Sequence, residues 1–108
     1  MHKINLSLLA LFLLTSFSSV SAHNLKESIE SSDRTPSYKT RDSYRHPYET
    51  LNFFGIKQDM TVIELNPSGG WYTEILANYI HYPGTLIAAQ GSYYLKRFEK
   101  KMNSDPMY

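Results

Sequence analysis

Two short apolar runs lie about one helix length apart. Met60–Leu65 (M-T-V-I-E-L) is apolar and β-branched, and Thr85–Ala89 (T-L-I-A-A) is a second run of the same kind. Runs of this length and composition suit buried strands. Between them, Asn66-Pro67-Ser68-Gly69-Gly70 reads as a tight loop. Trp71 to Ile80 then reads as a helix, with Trp71, Ile75, Leu76 and Tyr79 on one side, and Pro83-Gly84 as a turn. The span from Thr61 to Ala89 has the length of one βαβ unit, ~30 residues. Parallel strands joined by a helix belong to sheets covered on both faces. Only two strands are visible, so their outer edges are expected to be unpaired backbone. The expected fold class is α/β: one βαβ unit with flanking helices, the N-terminal portion of a larger sheet. Either the chain is a fragment, or its gene is truncated, or something else completes the sheet.

The flanking helices follow from capping and spacing. Pro47 suits the first position of a helix capped by His46, and Glu49 suits its first turn. Tyr48, Leu51 and Phe54 recur at helical spacing, and Gly55 is the stop. After the second strand, Ser92 can cap a last helix with Leu95, Phe98 and Met102 on its inner face. Lys100 and Lys101 suit its C-terminal end, and Asp105-Pro106 ends it.

Order is expected to begin near Tyr44. His2 and Lys3, the apolar run Ile4–Phe17 and the small-residue site Val20-Ser21-Ala22 read as a secretory signal peptide over residues 1–22. A membrane span needs ~20 apolar residues; this run is shorter and carries Asn5, Ser7, Thr15 and Ser16. The expected location is therefore periplasmic or secreted, with no stable membrane anchor after cleavage. Residues 23–43 are rich in Ser, Thr and mixed charge, with Leu25 and Ile29 as the aliphatic residues, and read as a disordered linker. Residues 44–108 form the folded part.

Composition removes several chemistries. The chain has no cysteine, which excludes disulfides, a thiol nucleophile and Cys-ligated metal. Its net charge of +1, which falls to zero on loss of Lys3, provides no footprint for nucleic acid. His46 and His81 are not at metal-ligand spacing. His81 is expected in an exposed turn, and Trp71 in the core.

The chemistry concentrates at Glu64-Leu65-Asn66-Pro67-Ser68-Gly69-Gly70-Trp71-Tyr72. In open α/β sheets, ligands bind beyond the carboxyl ends of the strands. This loop lies there and opens a helix whose first N–H groups can meet an anion. A plain strand-to-helix turn is the competing reading. The dinucleotide fingerprint G-x-G-x-x-G and the phosphate loop G-x-x-x-x-G-K-[ST] are both absent. S-adenosyl-L-methionine has the demands that remain. Its carboxylate needs N–H donors, its ammonium an acid, and its ribose a polar group at the next strand end. Glu64 and Gln90 occupy the two strand-end positions. Tyr44 and His46 either cover the cofactor or serve in packing and capping.

These residues also carry a resemblance. Y-R-H-P-Y-E-T-L from Tyr44, F-F-G-I from Phe53, V-I-E-L-N-P-S-G-G-W-Y-T-E-I-L-A from Val62 and G-T-L-I-A-A from Gly84 resemble a family of exported bacterial proteins regarded as class I S-adenosylmethionine-dependent methyltransferases. The resemblance covers most of Tyr44 to Gln90. It implies a Rossmann-like, seven-stranded sheet, of which this chain carries the N-terminal portion. It implies that Glu64, Asn66, Pro67, Ser68, Gly69, Gly70 and Gln90 bind the cofactor. Asn66 and Ser68 stand where the general pattern has glycine, and Gln90 where many such enzymes have an acid. The later segments that build most of the acceptor pocket are not present, so the methyl acceptor, expected to be a small molecule, and the catalytic base are not assigned.

Three functions follow as expectations. The chain is the start of an exported methyltransferase, a non-catalytic remnant of one, or a small exported binding module without cofactor. Its length leads us to expect no methyl transfer from these 108 residues alone.

Overall fold

The computed structural model describes residues 24–104. The expected signal peptide and the Asp105-Pro106 helix end lie outside the described residues. The element order is α1 (Leu25–Glu30), α2 (Pro36–Lys39), α3 (Asp42–Arg45), α4 (Pro47–Phe53), β1 (Thr61–Leu65), α5 (Trp71–Tyr79), β2 (Thr85–Ala89) and α6 (Ser92–Ser104). Among the described residues, no helix is long and apolar enough to cross a membrane.

β1 and β2 pair in parallel, with Thr61 opposite Thr85 and Leu65 opposite Ala89. The ladder runs one bond further, from the Asn66 N–H to the Ala89 carbonyl at 2.8 Å. The βαβ unit is therefore present, as a two-stranded sheet with helices. Helix α5 opens directly after the loop and closes at Ile80, whose N–H returns to the Leu76 carbonyl. Gly55 ends α4 with a φ of 68°, a left-handed angle that glycine adopts without steric cost.

The core lies on one side of the sheet. Leu25, Leu51, Trp71, Ile75 and Leu76 are buried together, and Val62 and Leu86 reach them from the strands. Both strands alternate exposed and half-buried residues. The opposite face is bare: Ile63 is 59% and Leu65 75% exposed. The strands thus differ from the expectation of burial on both faces, because α1, α4 and α5 form a single helical layer.

Residues 24–43 also depart from expectation, since they fold rather than form a linker. Asn24 and Glu27 form a reciprocal capping box at the start of α1. Leu25 is buried, and Ile29 packs on the same cluster. Arg34, 1% exposed, donates two bonds to Asp42, at 2.6 and 3.0 Å, and one to the Ile29 carbonyl at 2.6 Å. Thr35 donates from its N–H and its hydroxyl to the carboxylate of Glu74 in α5. The segment is short of apolar surface, but polar contacts with a distant buried carboxylate offset its ordering entropy.

Candidate functional site

β1 and β2 end side by side, and the loop 66–70 leaves their carboxyl edge. Its backbone alternates into the left-handed region: φ is 52° at Asn66, 56° at Ser68 and 85° at Gly70. Asn and Gly accept such angles readily; Ser does so at a cost. The positions that carry Asn and Ser in place of a patterned glycine are thus the ones where the chain still turns left-handed. Two bonds hold this shape. The Gly70 N–H donates to the Pro67 carbonyl at 2.8 Å. The Ser68 N–H donates to Gln90 Oε1 at 2.8 Å, so the residue after β2 pins the most strained residue of the loop.

Glu64 is half-buried on the helix side of β1. Its Oε2 accepts from the Thr73 hydroxyl at 2.6 Å. Burial pushes its carboxyl above the ordinary carboxylate range, while hydrogen bonds from Thr73 and the charge of Lys101 pull the other way. This leaves a carboxyl at a strand end that keeps its proton to higher pH than a solvated glutamate does.

Two cavities flank the loop. One, of about 360 Å³, is lined by Tyr38, Arg41, Arg45, Glu64, Trp71 and Tyr72 together with the loop from Leu65 to Gly69. The other, of about 510 Å³, is lined by Asn66, Ser68, Gln90, Gly91, Ser92, Tyr93 and Tyr94. Asn66 and Ser68 touch both, so the loop stands as the wall between them. Glu64 opens into the first cavity and Gln90 into the second.

The loop glycines face the chain itself. A side chain at Gly69 would meet the Tyr38 hydroxyl 2.5 Å from its first carbon, and one at Gly70 the Lys101 ammonium at 3.2 Å. The Gly69 carbonyl accepts from both, at 2.7 Å from Tyr38 and 2.9 Å from Lys101. Beyond these lies the start of α5, where the Thr73 N–H already bonds to the Glu64 carboxylate and the two N–H groups before it have no partner within the helix.

Tyr44 and His46 do not cover the site. Tyr44 is 82% exposed and His46 is a left-handed link between α3 and α4. The cover is Tyr38 and Arg41, from the segment expected to be disordered, with Arg45, from the start of the part expected to fold. Trp71 is buried in the core, its indole N–H donating to the Tyr38 carbonyl at 2.8 Å. His81 is half-buried beside the other end of the sheet rather than exposed. The sequence carried some signal for the missed residues: N-x-x-E at Asn24–Glu27 is a capping-box pattern, and Arg41 and Arg45 are one helical turn apart.

Comparison with protein-family models, curated proteins and solved structures finds no match to this chain. The fold and site define it as an α/β unit with paired cavities at the carboxyl ends of two parallel strands.

Proposed function

We propose that this site binds S-adenosyl-L-methionine, and that the chain is the cofactor-binding portion of an exported methyltransferase-like domain. The observation that carries the reading is the loop: three left-handed residues between a strand-end glutamate and a helix start, pinned by the residue that ends the neighbouring strand. The donor set suits the group. Glu64 meets the ammonium of the methionine end from the first cavity. The start of α5 and the cationic side chains there suit its carboxylate. Gln90 and the edge-to-face pair Tyr93–Tyr94 line the cavity that suits the nucleoside, where a neutral amide can still bond hydroxyls.

When bound, the cofactor supplies a methyl group activated on a sulfonium. The residues of this chain hold and orient it; alignment is the main demand of such a displacement. The first cavity contains no histidine, and the Tyr38 hydroxyl is engaged with Gly69. We therefore assign binding to the described residues and leave the acceptor and its base to other segments.

Calorimetric titration of the full chain with S-adenosyl-L-methionine tests this. Saturable binding is expected, weakened by Glu64→Gln and by Gln90→Ala. Loss of a hydrogen bond to a charged group costs ~1.5–3 kcal/mol, which corresponds to roughly ten- to hundredfold for Glu64. Absence of binding, or equal binding by all three proteins, would reject the assignment.

A further inference from the structure

The segment before α4 carries three arginines that the structure uses differently. Arg34 is buried and committed to Asp42 and to the Ile29 carbonyl. Arg41 and Arg45 bracket α3 and both line the first cavity. Among the described residues, no carboxylate forms an ion pair with either of them. Arg45 is also held in place. Its guanidinium carbon lies 4.0 Å from the Trp71 ring centre and 5.2 Å from that of Tyr72. A cation over a tryptophan ring at this distance is attracted by the ring face, and its N–H groups remain able to bond elsewhere. The floor beneath is rigid, since Trp71 is buried and hydrogen-bonded to the Tyr38 carbonyl.

We infer that Arg41 and Arg45 form a carboxylate clamp that closes the first cavity from the N-terminal segment. Two guanidinium groups with no acid partner among the described residues, one held over the Trp71 ring, fit the planar, two-oxygen geometry of a carboxylate. Glu64 lines the same cavity, where its bond from Thr73 holds it on the α5 side, free to meet the ammonium of an amino acid group whose carboxylate the arginines take. The inference rests on the proposed ligand only for the source of the carboxylate. That source is either the methionine end of the cofactor or a carboxylic acid acceptor bound beside it.

Trp71 is the only tryptophan, so its fluorescence reports on the clamp directly. The full chain is titrated at constant ionic strength with citrate, with S-adenosyl-L-methionine and with decarboxylated S-adenosylmethionine. The same titrations are made on Arg41→Gln and Arg45→Gln. Among the described residues the Arg41 side chain makes no hydrogen bond or ion pair, so Arg41→Gln, checked by an unchanged thermal melt, separates binding from folding. At least one carboxylate-bearing probe is expected to bind saturably and to lose tenfold or more in both variants. If S-adenosyl-L-methionine outbinds its decarboxylated form and that preference collapses in the variants, the carboxylate is the cofactor's. If the two bind alike while citrate binding depends on both arginines, it is the acceptor's. Arginine-dependent citrate binding without any response to S-adenosyl-L-methionine would leave the clamp standing and reject the proposed cofactor. The clamp is overturned if no carboxylate-bearing probe binds, or if both variants bind every probe as the parent does.

Discussion

Glu74→Ala should unlatch the N-terminal segment and the last helix together. Glu74 is fully buried in α5 and accepts three hydrogen bonds: from the Thr35 N–H at 3.0 Å, the Thr35 hydroxyl at 2.5 Å and the Lys101 ammonium at 2.8 Å. Breaking a buried ion pair costs ~3–5 kcal/mol because the remaining charge is stranded. Here the Lys101 side chain keeps 24% of its exposure and can rehydrate, which favours the lower end. Thr35 is left with an N–H that must find water, ~1–3 kcal/mol if it does not. The expected loss is about 3–4 kcal/mol. A folded region of this size, at ~0.05–0.15 kcal/mol per residue, has roughly 4–12 kcal/mol in all. The urea midpoint followed by circular dichroism should therefore fall by roughly a quarter or more. Lys101→Ala should cost much less in the Glu74→Ala background than in the parent, a coupling of ~1–3 kcal/mol. Protease should also cut residues 31–41 earlier in the variant. A loss below ~1 kcal/mol, within the range of ordinary surface changes, or strict additivity with Lys101→Ala, would refute the latch.

Other substitutions probe the remaining elements. Gly84→Ala should destabilise by ~1–3 kcal/mol, since the new methyl would run into the backbone carbonyls of Gln58 and His81, and a melt unchanged from the parent would contradict that crowding. Ile63→Thr and Leu65→Thr should each stay within about 0.5 kcal/mol in the same denaturation assay, because both side chains stand on the bare sheet face; a large loss would mean that this face is covered in solution. Glu64 has a raised carboxyl, so the folded chain holds its proton to higher pH than the unfolded chain does. Its contribution to stability therefore falls as pH rises from the ordinary carboxylate range to the raised value, and Glu64→Gln should flatten that part of a stability–pH curve. For the same reason, S-adenosyl-L-methionine affinity should rise with pH across that window in the parent and not in Glu64→Gln, as followed by calorimetry.

The βαβ unit was readable because its signals are local. β-branched runs, a glycine loop and a helical stripe through Trp71, Ile75 and Leu76 need no distant partner to be recognised. Glu64 and Gln90 were likewise placed by strand ends alone, and parallel pairing brings both to the loop. The N-terminal segment reads as a linker because its order is not local. Arg34 and Thr35 look like linker residues until Asp42 and Glu74 are brought to them, the latter from 39 positions away. Glu74 itself reads as an ordinary first-turn acid of α5, and its burial is imposed by Thr35 and Lys101. The sheet face was expected to be buried because apolar runs imply cover, whereas Ile63 and Leu65 show that pattern gives the strand and not its neighbours.

The central claim is that the loop between Glu64 and α5, with Gln90 beside it, holds the cofactor. Amide-resolved NMR of the full chain, titrated with S-adenosylhomocysteine, tests it most directly because it reports every backbone N–H at once. Saturable shifts are expected at Ser68, Gly69, Trp71 and Gly91, on both sides of the loop, and none at Lys57 or Gly84 at the opposite end of the sheet. Shifts confined to that opposite end, or no shifts at any residue, would contradict it.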